Sequence, residues 1–585
     1  MPGPWPENMT AGFTCQAGPA AALHIHEEFQ RFYAEFLAVP EQAKRAFEQR
    51  NHPESIRLSA LRLQLYSKSV ADLARQIPVD IGTDISHWAV VETCYRELVK
   101  GLYHEDLALA YLHSVRRRIY HDEWRADDSS FRQATELDSE HAEACLRVYP
   151  FDLKAGAGTL TDILEMESLA VPYADLQGDA NLILDRLRET FAGDQTGHGG
   201  IKSIEMFRAG FYRNRGAYLV GRLRFARHRF LPFIVALLND DDGIYVDALI
   251  TGSIDAHNIF SSTLANFHVT NIYYHELCLF LCSIMPMRPL GLHYSTIGYN
   301  HFGKLAVMNE IEQELRDNDE LLNIAAGSRG TVAIGFSSSA SAYSLKVIRD
   351  LPTEQYKWGE FDGVDSVLRK YHRIHEINRT GSMLDSIIYY NLSLSKSWFH
   401  PQLQAELLDF AGASVTETME TLKFRYLIVQ RKMTPLPVYL ETAGDIEAQA
   451  AIVNLGHCIR NNAAANIFNK DLDARNYGIS AYRKIYLFDY DALEPLTAVK
   501  VRSLYECEEG EDDVPDWFYE DGVVFLPEEI ITGLCLPFPD LRRLFREKHR
   551  ALLETGYWEQ IQAELRCGTV PGISVYPDSA RLIKP

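Results

Sequence analysis

Hydrophobic residues recur every three or four positions through most of the first 190 residues of this chain. Phe29, Phe32 and Phe36 form one such stripe, and similar stripes follow over 56–77 and 88–114. This spacing places apolar side chains on one face of an α-helix. The pattern therefore predicts an assembly of helices in this part of the chain.

The period of the pattern changes toward two between residues 211 and 250. Apolar segments there are separated by turn residues, among them the sequence Asp240-Asp-Asp-Gly243. Short apolar segments bounded in this way are typical of antiparallel strands. We predict a small antiparallel sheet with strands at 218–225, 230–237 and 243–250.

Helical and strand patterns both follow this sheet. A helix is predicted near 273–281 and a charged helix at 309–323, and the main domain boundary is placed near residue 310. The fold class expected is α+β, with domains at 1–310 and 311–585. The second domain is predicted to contain a hairpin of strands around 331–336 and 343–348, a helix at 362–379, a buried strand at 422–430 and a helix at 445–465.

The composition is that of a folded globular protein. The chain has 585 residues, of which 46% are hydrophobic and 24% are charged. These fractions are ordinary for globular domains, and the length exceeds what one hydrophobic core usually supports. The formal charge of −22 disfavours nucleic acid or a membrane surface as a partner, because both are polyanions that attract Lys and Arg.

Neither a membrane span nor an export signal is expected. The longest apolar stretches, 230–238 and 277–287, are well short of the roughly 20 residues that a membrane helix needs. The start of the chain lacks the basic and apolar segments of a secretory signal. The nine cysteines are scattered without a Cys-x-x-Cys pair, which disfavours a disulfide framework or a zinc site. These features predict a cytoplasmic protein.

Three polar residues after the last predicted helix have the spacing of a phosphoryl-transfer site. Asp471 lies five residues before Asn476, and Asp489 follows that Asn after a predicted hairpin. In kinases an Asp and an Asn at this spacing accept the substrate proton and bind a metal, and a later Asp binds Mg²⁺. Oxygen ligands of this kind suit Mg²⁺. Asp491 is a further candidate ligand.

A nucleotide site is predicted upstream of these residues. Lys346, on the second strand of the predicted hairpin, would contact the phosphates as the strand lysine of kinases does. The turn Gly327-Ser-Arg-Gly330 carries two glycines, which let backbone amides approach phosphate oxygens. The Walker pattern is absent from the sequence, which disfavours a P-loop NTPase.

Two other interpretations stay open from the residues alone. The sequence Asp489-Tyr-Asp491 after an apolar strand also resembles the paired aspartates of a haloacid dehalogenase-like phosphatase. That family has Thr or Val where Leu493 stands, and too few residues follow to build its alternating parallel sheet. The other alternative is a catalytically inactive kinase-like binding protein. The joint presence of the lysine and the three phosphoryl-transfer residues disfavours it.

Several longer strings of this sequence resemble the bacterial isocitrate dehydrogenase kinase/phosphatase family over about residues 205–530. Ordinary protein kinases differ from the chain, which has Asn469-Lys-Asp471 in place of His-Arg-Asp and lacks Ala-Pro-Glu. The strings that carry the resemblance are Ala463-Ala-Ala-Asn-Ile-Phe468, Asn476-Tyr-Gly478, Phe488-Asp-Tyr-Asp491, Leu345-Lys-Val-Ile-Arg-Asp350, Arg431-Lys-Met-Thr-Pro-Leu436 and Phe525-Leu-Pro-Glu-Glu529.

The resemblance implies a bifunctional enzyme that uses ATP to phosphorylate a serine of isocitrate dehydrogenase and removes that phosphate at the same site. It also implies control of flux between the tricarboxylic acid cycle and the glyoxylate bypass. A mainly helical regulatory domain with a small antiparallel sheet would precede a kinase-like bilobal catalytic domain. AMP would bind as an allosteric effector near the domain junction, and a homodimer is one assembly that the sequence allows.

The resemblance further implies roles for individual residues. Asp471 would be the catalytic residue of the kinase reaction and Asp385, in Gly381-Ser-Met-Leu-Asp385, that of the phosphatase reaction. The metal, Mg²⁺ or Mn²⁺, would be held by Asn476, Asp489 and Asp491. ATP, and ADP after transfer, would be bound by Lys346 and by a loop whose residues are Ala325, Ala326, Gly327, Ser328, Arg329, Gly330 and Thr331.

Overall fold

The computed structural model combines helices with two large antiparallel sheets, which confirms the predicted α+β class. Among the described residues, no helix is both long enough and apolar enough to cross a membrane. The structure describes residues 17–83, 85–121, 141, 144–191, 200–226, 229–261, 267–325, 330–353, 361–376, 381–503, 522–569, 571–573 and 575–582.

Helices form most of the first part of the chain, as the apolar stripes predicted. Phe29, Phe32 and Phe36 are all buried against neighbouring helices. The Asn51 side chain accepts a hydrogen bond of 3.1 Å from the Glu54 N–H and so caps the second helix. The helices are α1 (Ala17–Glu48), α2 (His52–Ala74), α3 (Val79–Thr83), α4 (Trp88–Val99), α5 (Glu105–Tyr120), α6 (Ala157–Leu164) and α7 (Leu176–Phe191).

The first sheet is larger than the sequence predicted. Its order is β1-β2-β3-β4-β5, with β6 paired to β2, and all of its pairs are antiparallel. The second strand was not predicted because it is buried on both faces and so shows no alternation. The strands are β1 (Leu146–Pro150), β2 (Ser203–Arg213), β3 (Gly216–Arg224), β4 (Phe230–Asp240), β5 (Gly243–Ile250) and β6 (His268–Val269).

Three helices lead from this sheet to the second one, and a further helix lies between the last two strands of the first sheet. The last of the connecting helices begins and ends earlier than the charged helix predicted at 309–323. It ends at Asn318 because Asp319 adopts a left-handed conformation. It spans the boundary placed near residue 310, and the division at that residue stays a prediction. The helices are α8 (Ser253–Phe260), α9 (Tyr274–Ile284), α10 (Leu290–Thr296) and α11 (Asn300–Asn318).

The second sheet has the order β10-β12-β9-β8-β7, with β11 paired to β12. It confirms the predicted hairpin and the predicted buried strand, whereas β10 was not predicted. The elements are β7 (Asn323–Ile324), β8 (Ala333–Ser337), β9 (Tyr343–Ile348), α12 (Val364–Glu376), β10 (Ser386–Ser395), α13 (Pro401–Phe410), β11 (Val415–Glu417) and β12 (Thr421–Arg431).

Helices and short strands make up the rest of the chain. The predicted helix at 445–465 is confirmed as α15, whose buried face lies in the core shared with the second sheet. The elements are β13 (Thr434–Pro435), α14 (Leu436–Thr442), α15 (Asp445–Ala464), β14 (Ile467–Asn469), β15 (Tyr477–Ile479), β16 (Ile485–Leu487), β17 (Leu493–Pro495), β18 (Lys500–Val501), β19 (Val524–Phe525), α16 (Ile530–Gly533), α17 (Pro539–Lys548) and α18 (Thr555–Arg566). Short 3-10 helices lie at Ile85–His87, Lys396–Trp398, Ala474–Asn476, Leu496–Ala498, Pro527–Glu529, Arg550–Leu553 and Asp578–Ala580.

Two parts of the chain, the one up to the end of α11 and the one after it, are joined by cationic side chains. Each of these side chains lies in one part and donates to a backbone carbonyl of the other. Leu305, Met308 and Ile311 of α11 also pack into the hydrophobic core of the second sheet. The crossing bonds run from Lys304 Nζ to Ile388 O at 3.1 Å, from Arg431 to Met287 O at 2.6 Å and from Lys484 Nζ to Asn258 O at 2.8 Å.

Helix α11 also holds the tip of the β8–β9 hairpin through carboxylates. The Tyr343 hydroxyl donates to Glu310, which also accepts the Gly291 N–H at 2.8 Å. The Ser341 hydroxyl donates to Glu314 at 2.7 Å. Burial raises the pKa of Glu310 from its usual 4.5 to about 7.

Replacement of Glu310 by glutamine should change how the stability of the protein depends on pH. The unfolded chain releases the Glu310 proton near pH 4.5, whereas the folded protein keeps it until about pH 7, so ionisation opposes folding in between. Relative to Glu310→Gln, the unfolding free energy of the wild type should fall by up to about 3 kcal/mol across this window. Denaturant unfolding below and above the window measures the difference.

The matched control is Glu312→Gln, which changes a carboxylate of the same helix that pairs with Arg316 at the surface. If the unfolding free energies of Glu310→Gln and Glu312→Gln differed from that of the wild type by the same amount across this pH window, the assignment to Glu310 would be contradicted.

Candidate active site

The loop that carries Asp471 is fixed through its backbone. Asn476 Nδ2 donates to the Asp471 carbonyl at 2.9 Å, and Asn469 Nδ2 donates to the same oxygen at 2.6 Å. The Asp471 N–H in turn donates to Asn469 Oδ1 at 3.1 Å. These bonds fix the loop through the backbone of Asp471 and do not use its carboxylate or Asn476 Oδ1.

The hairpin predicted between Asn476 and Asp489 is formed by β15 and β16. The Phe488 N–H donates to the Asn476 carbonyl at 3.1 Å, so the segment after β16 lies beside the loop that carries Asp471. Tyr490 is fully buried, its hydroxyl donates to the Leu384 carbonyl, and its ring lies 4.9 Å from that of Tyr371. The buried tyrosine anchors a segment whose flanking aspartates are partly exposed.

Negative charge accumulates in this segment. Burial, and then the neighbouring Asp489 carboxylate, raises the pKa of Asp491 to about 7, and Asp471 acts in the same direction. Lys370 of α12 opposes the shift, and its ammonium donates to the Asp491 carbonyl. Lys370 was not predicted, because its contact depends on how α12 packs against a loop distant in the chain.

The structure brings Lys346 to the same segment. Its Nζ donates to the Phe488 carbonyl at 3.1 Å and lies 4.8 Å from the centre of the Phe488 ring. Burial lowers the pKa of Lys346, whereas Asp489 and Asp491 act to raise it. Gln430 Nε2, from the neighbouring strand, donates to the same Phe488 carbonyl at 3.3 Å. Lys346 therefore belongs to one polar site with the two aspartates.

The predicted ATP loop is described only at its ends. The Ala325 N–H donates to the Gly335 carbonyl at 2.9 Å, and the Thr331 carbonyl accepts the Thr353 N–H at 3.0 Å. A side chain at Gly330 would bring its Cβ within 2.7 Å of the Ala333 carbonyl, so this position requires glycine. The other loop residues of the prediction, Ala326, Gly327, Ser328 and Arg329, lie outside the described residues.

Asp385 lies at the start of β10 and beside the hairpin. The preceding Leu384 donates its N–H to the Leu487 carbonyl at 2.9 Å and accepts the Tyr490 hydroxyl. The carboxylate of Asp385 lies 3.9 Å from the guanidinium of Arg288, which comes from the segment between α9 and α10. This arginine was not predicted from the sequence, because no local pattern marks a contact so distant along the chain.

The donor set suits a hard divalent cation that keeps part of its water shell. In the described part of the chain, no group of three or more His, Cys, Asp or Glu side chains is placed to hold a metal. The predicted ligands are instead two carboxylates, Asp489 and Asp491, and the amide oxygen of Asn476. Mg²⁺ is commonly bound by one or two carboxylates together with water and substrate phosphates.

Comparison with protein families divides the chain into two matched regions. Residues 22–319 match the regulatory domain of isocitrate dehydrogenase kinase/phosphatase (AceK), and residues 320–578 match the kinase domain of the same family. The two regions together cover nearly all of the sequence, and every candidate site residue falls in the second region.

Curated relatives match the chain along almost its whole length. An isocitrate dehydrogenase kinase/phosphatase of Rhodopseudomonas palustris strain BisB5 is 45% identical, over 95% of this chain and 91% of the relative. A second enzyme of this name, from strain HaA2, is also 45% identical, over 95% and 92%. One from Pseudoalteromonas translucida, named isocitrate dehydrogenase kinase/phosphatase 2, is 28% identical over 95% and 97%. The chain therefore belongs to the isocitrate dehydrogenase kinase/phosphatase family.

Proposed function

We propose that this protein phosphorylates a serine of isocitrate dehydrogenase with ATP and removes the same phosphate by hydrolysis. The observation that carries the proposal is the convergence of Lys346, the Asp471 loop and the Asp489 segment on one polar site, in a chain of this family. The enzyme would act in the cytoplasm, where ATP is supplied. It would set the division of isocitrate between the tricarboxylic acid cycle and the glyoxylate bypass.

In the kinase direction, Asp471 would orient the serine hydroxyl and accept its proton. The serine oxygen then bonds to the γ-phosphorus, the bond from that phosphorus to the bridging oxygen breaks, and ADP leaves. Lys346 and the glycine-containing loop would hold the phosphates. Mg²⁺ or Mn²⁺, when bound by Asn476, Asp489 and Asp491, would offset the negative charge of the phosphates.

In the phosphatase direction, Asp385 would position the attacking water and accept its proton. Water adds across the phosphorus–oxygen bond, so that its hydroxyl goes to the phosphate and a proton goes to the serine oxygen. The proximity of Asp385 to the Asp489 segment supports use of the same phosphate site in both directions.

We propose AMP as an allosteric effector that binds between the two parts of the chain. Among the described residues, a ring nitrogen of His293 and one terminal nitrogen of Arg431 are buried without a hydrogen-bond partner, and the Met285 carbonyl lies near the His257 and His293 rings. Burial lowers the pKa of His257 to about 4, and that of His293 falls in the same direction, so both rings are neutral near pH 7. Neutral imidazoles and a guanidinium can all donate to a phosphate. Binding of AMP to the wild type and to His293→Ala tests this site.

Labelled ATP tests the proposed function directly. Incubation with isocitrate dehydrogenase should transfer the γ-phosphate to a serine of the dehydrogenase, and addition of Mg²⁺ and nucleotide to the purified product should release it. Absence of transfer would contradict the proposal and favour an inactive kinase-like protein. Release without nucleotide, together with absence of transfer, would favour a dehalogenase-like phosphatase that uses Asp489 and Asp491.

A further inference from the structure

Arg288 is a buried cation that the regulatory part of the chain holds in one orientation. Its side chain is 3% exposed. One terminal nitrogen donates to Thr296 Oγ1 at 2.7 Å and to the Leu292 carbonyl at 3.1 Å, and the other donates to Ser261 Oγ at 3.1 Å. All of these acceptors are neutral, so the bonds orient the guanidinium without balancing its charge.

The carboxylate that this guanidinium approaches is Asp385, which belongs to the catalytic part of the chain. The nitrogen bonded to Thr296 lies 3.9 Å from Asp385 Oδ2. Asp385 is 34% exposed, so it faces solvent on one side and Arg288 on the other. At this separation and degree of burial the attraction between opposite charges is only partly screened by water.

The backbone just before Asp385 is fixed by α15 and by the β15–β16 hairpin. The Ser382 N–H donates to Asn462 Oδ1 at 2.7 Å, and the Ser382 carbonyl accepts the Leu487 N–H at 3.0 Å. Leu384 is bonded to the hairpin in the same way. The backbone that leads into Asp385 is thus fixed by the hairpin, while Arg288 faces its carboxylate.

We propose that Arg288 is a positioning residue for the phosphatase reaction, through which the regulatory part of the chain completes the site around Asp385. This inference rests on the proposed phosphatase role of Asp385. The kinase reaction should depend on Arg288 much less, because the backbone of Asp471 is fixed by Asn469 and Asn476 and Arg288 faces the other carboxylate. The phosphatase reaction thus requires Arg288 much more than the kinase reaction does, although both use the same site.

The test is the ratio of phosphatase to kinase activity in Arg288→Met, measured without AMP. We expect this ratio to fall by about 10- to 100-fold, the range that misplacement of a catalytic group can cost. Arg288→Lys keeps a positive charge beside Asp385 and should recover part of the loss. In an Asp385→Asn background, Arg288→Met should cause no further loss of phosphatase activity, because its effect passes through that carboxylate.

Arg222→Met is the matched control. Arg222 is another buried arginine of the regulatory part, and its partners, Glu205 at 2.7 Å and Ser283 at 2.9 Å, also belong to that part. Its replacement should lower thermal stability but leave the activity ratio unchanged. An equal fall of both activities in Arg288→Met, or a further fall in the Asp385→Asn background, would overturn the proposal. Absence of both activities from the wild type would instead contradict the proposed function.

Discussion

Asp471→Asn is expected to lower the kcat of phosphoryl transfer to isocitrate dehydrogenase by about 10²- to 10⁴-fold, the usual contribution of a general base. The substitution removes the proton acceptor but keeps the size of the side chain. The loop should keep its shape, because Asn469 and Asn476 bind the backbone of residue 471 and not its carboxylate. The KM for ATP should therefore change little. Initial rates of label transfer at several ATP concentrations give both constants.

Asp540→Asn is a suitable control for this experiment. Asp540 lies at the start of α17, is exposed, and pairs with Arg543 at the surface. Its amide variant should keep the wild-type kcat. If Asp471→Asn retained a rate within a few-fold of the wild type, Asp471 could not be the base, and proton transfer would have to be assigned to another group.

The second large effect is expected in the opposite reaction. Asp385→Ala should lower the rate of phosphate release from phosphorylated isocitrate dehydrogenase by about 10²- to 10⁴-fold, as expected for loss of the group that accepts the proton from water. Kinase activity should fall much less, because Asp471 remains in place. The two activities must be assayed separately, the kinase with labelled ATP and the phosphatase with purified phosphorylated product.

Asp385→Asn separates chemistry from packing in this second case. The amide fills the same space and its oxygen can still accept a hydrogen bond, so a similar loss in the Ala and Asn variants would indicate a chemical role for the carboxylate. Equal loss of kinase and phosphatase activity in either variant would refute the division of labour between Asp385 and Asp471.

Much of the local geometry could be predicted because short-range spacing determines it. The distance along the chain from Asp471 to Asn476 allows one loop to close on itself, and the Asn476 side chain does bond the Asp471 backbone. The hairpin that carries Asp489 back to this loop has its own turn and strands. In both cases the interacting groups are close in sequence, so the pattern contains the information.

The features that were not predicted depend on packing between distant segments. Strand β2 is covered on both faces, which removes the alternation that would have marked it. Strand β10 pairs with β12 and starts at the residue after Asp385, yet its sequence does not show how close it lies to the hairpin. Arg288 and Lys370 reach the site from other helical regions. A single sequence without tertiary information carries no signal for such contacts.

The bonds that cross between the two parts of the chain bear on why a single polypeptide carries both. The boundary between the two family matches lies just after α11, yet this helix is packed into the core of the second sheet. Halves synthesised separately would each expose an apolar face and would lack acceptors for Lys304, Arg431 and Lys484. Exposed apolar faces of this kind favour aggregation over correct association. Because the two halves belong to one polypeptide, each is at a high effective concentration near the other as the chain folds.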